Sequence, residues 1–351
     1  MSPTNQTVRT APNVLARWCT KTWVKRTPFG RLTQELLAFC RAQARQRDPA
    51  YSALVGQVAE AMNLPALPPR RRVKGSVWAV SVVKNEADII GPVVEHLFRQ
   101  GVDVILIADN GSTDGTTALL AGLASNHPLH VAHDREPGHL QGIKMNMLSD
   151  FARGAGADWI VPFDADEFWF APAGSLGDFL RSCKAHIVRA HMHNLFPVAK
   201  VPFGEGPWLL DAAPHGRTKC AFRSHKYAHL SEGNHNVRRP GWSTAGLRVL
   251  HVPWRSYDQF RRKAIQGFES LSQTTLAPTV GEHWRHLGSL SEEAANEAWS
   301  SILNGRSVEG IMWSPGGLAQ QVNPADWLTW DPDNLLSRPE SSRPAPRPAP
   351  S

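Results

Sequence analysis

The sequence predicts an α/β fold built on an open, mostly parallel sheet flanked by helices. Three observations lead there. The apolar runs Val77–Val83, Val102–Ala108 and Trp159–Phe163 have the length and composition of strands covered on both faces. Amphipathic stretches at helical spacing separate them, and the resulting βαβαβ order calls for parallel pairing. With 351 residues, 42% of them hydrophobic and 20% charged, the chain can bury a sizeable core.

Residues 13–62 read as helical. Leu32, Leu36, Leu37, Phe39 and Cys40 recur at helical spacing, and Ala53, Val55, Val58 and Met62 repeat the pattern. Trp18, Lys21, Trp23, Lys25 and Arg26 cluster ahead of them. Residues 1–72 hold 12 Lys/Arg against 3 Asp/Glu, and the rest hold 26 against 28. The formal charge of +7 thus belongs to this extension, and nucleic acid is not an expected partner. Two readings of the extension stay open: a helical cap docked on the main domain, or peripheral contact with the inner face of a membrane. The Pro- and Arg-rich run 64–72 is expected as a linker.

From Ser76 onward the elements alternate. After the strand Val77–Val83, a helix over Ala87–Gln100 presents Ile90, Val93, Val94 and Leu97 on one face. The strand Val102–Ala108 follows, then a helix over Thr116–Ser125, a short strand at Val131, a helix over Met145–Arg153 and the strand Trp159–Phe163. Strands are expected again at Ile187–Phe196, Thr218–Tyr227 and Leu247–Val252. Ser256-x-x-Gln259 has capping-box spacing and opens a further helix. Residues 331–351, with six prolines, are expected as a disordered tail. The division is therefore 1–72, an extension with its linker, 73–330, the main domain in halves 73–170 and 171–330, and 331–351. No run of about 18 apolar residues offers a membrane span, no apolar leader is visible, and four scattered cysteines fit a reducing compartment. A cytoplasmic protein is expected.

Open α/β sheets bind ligands beyond the carboxyl ends of their strands. Three polar segments lie there: Lys84–Asp88, Asp109–Asp114 and Asp164–Glu167. Neither a P-loop nor a G-x-G-x-x-G fingerprint is present, so a bound nucleotide must have its charge neutralised otherwise. Asp164-Ala-Asp166 offers two carboxylates that can hold a divalent ion with open positions for a diphosphate. Alone the triplet is weak, since Asp331-Pro-Asp333 repeats it. In Asp109-Asn-Gly-Ser-Thr-Asp-Gly115, a turn and a helix cap account for Gly111, Ser112 and Gly115 but leave Asp109 on the rim.

Val83-Lys-Asn-Glu-Ala-Asp88, Asp109-Asn-Gly-Ser-Thr-Asp-Gly115 and Asp164-Ala-Asp-Glu-Phe168 together resemble the nucleotide-sugar-binding half of family 2-like glycosyltransferases with the GT-A fold. The match is closest to a bacterial group related to family-92-like enzymes, and Gly142-x-Lys144-x-x-Met147 also resembles a family segment. The resemblance is strong over residues 76–170 and weak over 171–272. It implies that Lys84, Glu86 and Asp88 line the nucleobase end of the donor pocket. Asp109 contacts base or ribose, with Asn110, Gly111 and Lys144 in the same pocket. Asp164 lies near ribose and metal, and Asp166 ligates Mn2+ or Mg2+. His251, closing a late strand, is expected as a further metal ligand. Lys263 or Arg262 would neutralise the leaving diphosphate. Glu167 either supports the site or touches the sugar, and it joins Glu232 and His235 as a catalytic candidate. The base is open among Glu232, His235, Asp211 and Glu205.

The implied activity is metal-dependent transfer of a sugar, with inversion, from a nucleoside-diphosphate sugar, UDP-sugar foremost. The acceptor is a saccharide or lipid-linked hydroxyl in bacterial polysaccharide or glycoconjugate synthesis. The alternatives are a non-catalytic nucleotide-sugar-binding protein of the same fold and a zinc hydrolase. The latter would use His191, His193, His225 and His229, which lack a matching Cys or carboxylate framework.

Overall fold

The computed structural model describes residues 27–198, 208–211, 213–274 and 281–316, with the backbone alone of 319–322. The Trp18–Arg26 cluster, Glu205 and the 331–351 tail lie outside these residues.

The elements run α1 (Pro28–Arg47), α2 (Pro49–Ala61), β1 (Met62–Asn63), β2 (Val77–Val83), α3 (Ile90–Arg99), β3 (Val104–Asp109), α4 (Thr116–Ala124), β4 (Leu129–Asp134), α5 (Gln141–Gly154), β5 (Trp159–Pro162), β6 (Glu167–Phe170) and α6 (Leu176–Ser182). They continue with β7 (Ile187–Pro197), β8 (Trp208–Asp211), β9 (Thr218–Arg223), β10 (His229–Leu230), β11 (Val237–Arg238), β12 (Ser243–His251), α7 (Tyr257–Ser272), α8 (Glu282–Gly288), α9 (Glu292–Leu303) and β13 (Ala319–Val322).

The main sheet has the order β1-β4-β3-β2-β5-β9-β7-β12-β6, with β8 and β13 joined at the side of β7. Strands β4, β3, β2 and β5 pair in parallel, as the apolar runs predict, because helical crossovers cover both faces. The second half mixes directions: β9 is antiparallel to β5 and β7, β12 is parallel to β7, and β6 closes the edge antiparallel to β12. Strand β6 and helix α6 have no counterpart in the sequence reading. All four residues of Glu167-Phe-Trp-Phe170 are buried, so the run gives no alternation to read.

One apolar layer packs Ile90, Val93, Val94 and Leu97 of α3 against the sheet, and another packs Met145, Leu148 and Ala152 of α5 on the opposite face. A third core gathers Trp254, Phe260, Leu287 and Trp299 around α7, α8 and α9.

The extension is attached to this body. Met62 and Asn63 pair with Asp134 and His133 at the sheet edge. The run expected as a linker is strapped down, with Arg70 N donating to Gly154 O and Val73 N to Gly156 O, each at 2.9 Å. Leu64 and Leu67, each followed by a proline, pack on the α5 layer.

What positions the site is the register. The carboxyl ends of β2, β3 and β5 open on one rim, and the β12–β6 pairing sets His251 directly opposite Glu167. The last residue of a late strand thereby reaches the Asp164–Glu167 turn.

Candidate active site

A cavity of about 990 Å³ opens on this rim. Lys84, Glu86, Asn110, Lys144, Asp164, Asp166, Glu167, Glu232, His235, His251 and Lys263 all line it. Of the predicted site residues within the described ones, Asp88, Asp109, Gly111, Asp211 and Arg262 do not.

The first two polar loops are stitched together. Asn85, at φ 55°, accepts from Thr113 N at 2.6 Å and donates its own N–H to Ser112 Oγ at 2.9 Å. Glu86 N donates to Thr116 Oγ1 at 2.9 Å, and Ala87 N to Asp114 Oδ2 at 3.2 Å. Asp109 takes part in the same lacing. Its carboxylate accepts from Ser112 N at 3.1 Å and from the Thr117 hydroxyl, and the residue is buried. Asp109, expected on the rim, does not line the cavity, and the turn it starts supplies the donors that its carboxylate meets. Gly111, at φ 66°, makes that turn. Asn110 and Lys144 face the cavity edge but are spent on the β4 loop: Asn110 Nδ2 donates to Glu136 O at 2.7 Å, and Lys144 Nζ meets Asp134 Oδ2 at 2.7 Å. Burial lowers the Lys144 ammonium, against the pull of Asp134.

Asp88 and Glu86 are held by a residue the sequence reading missed. Arg255 bonds Asp88 Oδ2 at 2.6 Å and Oδ1 at 3.0 Å and also donates to Glu86 Oε2. It stands just before the Ser256 cap of α7, where Pro253-Trp254 turns the chain off β12. Asp88 therefore braces Arg255 from outside the cavity.

The two aspartates of the D-x-D triplet part company. Asp164 Oδ1 accepts from Gln141 Nε2 and Asn234 Nδ2, each at 3.1 Å, and its Oδ2 lies 2.6 Å from Lys219 Nζ. Three donors thus occupy the carboxylate expected to help hold the metal. Asp166, almost fully buried, points the other way. Its Oδ2 is 2.5 Å from Lys263 Nζ, 3.7 Å from His251 Nε2 and 4.0 Å from Arg255 Nη1. Burial works to raise this carboxyl, but Lys263, His251 and Arg255 hold it well below the usual range.

His251 Nδ1 lies 2.9 Å from Asn194 Oδ1, which accepts its proton and leaves a lone pair on Nε2 facing Asp166. Burial pulls the imidazole down to about 3, so its neutral form is present well below the reference value of 6.5. A carboxylate oxygen and a neutral imidazole nitrogen facing one cavity fit a divalent ion. Among the described residues no cluster of three His, Cys, Asp or Glu side chains is placed to hold a metal. Phosphate oxygens and water are the ligands that a bound nucleotide would bring to such a sphere.

Glu167 is completely buried behind the triplet, with Oε1 2.7 Å from Lys219 Nζ and Oε2 accepting from Asp164 N at 3.2 Å. Burial pushes its carboxyl up to about 8, against the pull of Lys219. Lys219 also donates to Gly233 O at 2.8 Å, tying the triplet to the turn that carries Glu232 and His235. Nothing in the pattern of β9 marked this lysine.

Glu232 Oε2 accepts from Gly142 N, the second residue of α5, at 3.1 Å. A Cβ on residue 142 would fall 2.3 Å from Glu232 Oε1, so a side chain there would push the Glu232 carboxylate aside. Burial raises the Glu232 carboxyl. His235, whose Nδ1 donates to Thr218 O at 3.2 Å, is pulled down to about 4 by burial. Asp211 lies away from the cavity, accepting from Gly316 N at 2.8 Å. Lys84 makes no ion pair among the described residues, and Arg262 reaches Asn85 O at 3.4 Å. Part of the lining is aromatic. Trp284 and Trp313 meet at 5.6 Å between centroids, and Trp313 stands edge-on to His251 at 5.3 Å.

Residues 78–176 match the family model described as Glycosyl transferase family 2. That segment carries β2 to β6 and the first three polar loops, whereas Lys219, Glu232, His251, Arg255 and Lys263 lie beyond it. No curated protein sequence matches the chain. Similar solved structures include S. aureus TarS, at 12% identity over 66% of this chain and 48% of that one, with a TM-score of 0.33. S. aureus TarS 1-349 in complex with UDP-GlcNAc matches at 12% identity over 64% and 73%, with a TM-score of 0.35. Glucosyl-3-phosphoglycerate synthase from Mycobacterium tuberculosis, in complex with Mn2+, UDP and phosphoglyceric acid, matches at 20% identity over 36% and 52%, with a TM-score of 0.25. The matched region of this chain spans about half the length of the first of these structures.

Proposed function

We propose that the protein is a GT-A-type glycosyltransferase of the family 2 kind. It would move a sugar, with inversion, from a nucleoside-diphosphate sugar, UDP-sugar foremost, to a hydroxyl of a saccharide or lipid-linked acceptor in bacterial polysaccharide or glycoconjugate synthesis. The observation that carries this reading is Asp166. It is a buried carboxylate at a strand's carboxyl end inside the family 2 match, facing His251 and Lys263 across one cavity.

Asp166 and His251 would hold Mn2+ or Mg2+, which when bound supplies positive charge beside the departing diphosphate. Lys263 and Lys84 add cations lining the same cavity, where charge develops as the bond to the anomeric carbon breaks. Glu232 is the residue best suited to take the acceptor proton. Burial brings its carboxyl toward neutrality, whereas His235 is pulled away from it. In the step, the acceptor oxygen bonds to the anomeric carbon, the carbon–phosphate oxygen bond breaks, and the acceptor proton passes to Glu232. Trp284 and Trp313 offer flat apolar faces against which a pyranose ring of the acceptor can lie.

The test is a thermal-shift series of nucleoside diphosphates and nucleotide sugars with and without Mn2+, paired with a diphosphate-release assay on Glu232→Gln. Stabilisation by one nucleotide, growing with ligand concentration, together with turnover lost in the variant but donor binding kept, supports the reading. Absence of stabilisation by every nucleoside diphosphate overturns it.

A further inference from the structure

A helix docked on a protein surface normally turns its apolar stripe to the body and its polar face to water. Helix α1 does the reverse. Its buried positions are the small residues Gly30 and Ala38. Its polar side chains make the anchoring contacts: Gln34 Oε1 accepts from Gly241 N at 2.6 Å, and Glu35 Oε1 lies 3.1 Å from His225 Nε2. The stripe of Leu32, Leu36 and Phe39 instead stands open, with these residues 60%, 56% and 43% exposed, although Phe39 rests one side of its ring on Tyr227 at 6.0 Å between centroids, and the exposed Cys40 continues it. Leaving three large apolar side chains on the outer line of one helix is unfavourable unless something covers them.

The charge beside the stripe says what that is. Arg31 and Arg47 flank it at helical phase, whereas Arg41 and Arg45 fall on the line of Gly30, Gln34 and Ala38, and the one carboxylate of α1, Glu35, is already paired with His225. The 12-to-3 excess of Lys/Arg over Asp/Glu in residues 1–72 contrasts with the near-balanced remainder. Two copies of such a face would repel each other. A stripe of three side chains also falls far short of the roughly 20–30 residues a side of a stable protein interface. An apolar stripe bordered by arginines suits a planar anionic surface, into which leucine and phenylalanine insert while guanidinium groups meet phosphates. No helix among the described residues is long and apolar enough to cross a membrane, so any contact through α1 is peripheral.

We propose that the outward stripe of α1 docks the protein on the surface of a bilayer containing anionic phospholipids. Docking would not depend on sugar transfer. It is measured by co-sedimentation of the full chain with phosphatidylcholine vesicles, with and without phosphatidylglycerol, at low and high salt. Binding to the anionic vesicles that weakens with salt and is absent from pure phosphatidylcholine is expected. Leu32→Asp/Leu36→Asp should lower the partition coefficient at least about tenfold. Both side chains are exposed, so melting temperature should hold. A second variant, Arg31→Glu/Arg47→Glu, should lose the salt-dependent part of the binding.

Failure of the wild type to sediment with anionic vesicles overturns the proposal, as does equal partitioning of wild type and Leu32→Asp/Leu36→Asp. A doubled mass in light scattering that the same double variant abolishes assigns the stripe to a second copy and overturns it too. Binding lost on removal of residues 1–26 but kept in the stripe variant places the contact ahead of α1, with the same consequence.

Discussion

Asp166 Oδ2 and His251 Nε2 face each other across 3.7 Å, and the imidazole proton is committed to Asn194 on the far side of the ring. Two electron-pair donors so placed need a cation near them, and in this structure the ammonium of Lys263 supplies it. Asp166→Asn keeps the shape but removes the charge that a divalent ion would meet. UDP affinity measured by calorimetry should then lose its dependence on Mn2+, while metal-free affinity changes little. His251→Gln should show the same pattern in milder form. A Mn2+ dependence equal to that of the wild type in both variants would remove this pair from the metal site.

Lys263 gives a less obvious expectation. Its Nζ contacts Asp166 at 2.5 Å and lies 3.5 Å from Glu86 Oε1, and these carboxylates raise its ammonium against the opposing effect of burial. A divalent ion arriving at Asp166 must displace it. Lys263→Met should therefore bind Mn2+ more tightly in the absence of nucleotide, by several-fold, yet bind the nucleoside diphosphate more weakly. Free Mn2+ counted by electron paramagnetic resonance, with and without UDP, checks both directions. Weaker Mn2+ binding in the nucleotide-free variant would show that the lysine does not compete.

The parallel half of the fold was legible because its strands are buried on both faces and read as unbroken apolar runs. So was the convergence of Lys84, Glu86, Asp164 and Asp166 on one rim, since strand ends in such a sheet share a side. The division of labour within each motif was not. Asp109 and Asp166 are both strand-end carboxylates in sequence, and only the donors around them separate the loop-holder from the one facing the cavity. Lys219 and Arg255 reach the site through pairings in the second half of the sheet, where directions mix and local periodicity carries no register.

Lys219 shows what that missing half contributes. One ammonium, almost fully buried, meets Asp164 at 2.6 Å and Glu167 at 2.7 Å and donates to Gly233 O at 2.8 Å. Removing it leaves Asp164 without its counter-charge and the buried Glu167 carboxyl without its partner, a kind of loss that costs about 3–5 kcal/mol. Lys219→Met should lower unfolding free energy by that order in urea titrations. Lys219→Arg, which keeps the charge, should recover part of it. A loss under about 1 kcal/mol for the methionine variant would mean that water already screens the cluster.

The last expectation concerns acid stability and a residue far from the cavity. His96, on α3, is buried with Nε2 2.8 Å from Trp169 O and its ring against Phe168 and Phe170, at 5.3 and 4.6 Å between centroids. Burial lowers its pKa from 6.5 to about 4, so the folded protein keeps the ring neutral where the unfolded chain would protonate it. The contribution is complete above pH 6.5 and drains away as pH falls from there to about 4. One pKa unit corresponds to about 1.4 kcal/mol, so the loss is on the order of 3 kcal/mol. His186, His229 and His283, each also lowered to about 4 by burial, steepen the same limb, so the histidine has to be isolated by difference. His96→Gln can still donate to Trp169 O but cannot take up a proton in this range. At pH 7 the variant should be the less stable protein, through lost ring packing. Its stability should fall less steeply below pH 6.5, so the two curves converge or cross near pH 4. Parallel curves in urea titrations from pH 7.5 to 4 would show that His96 protonates without penalty.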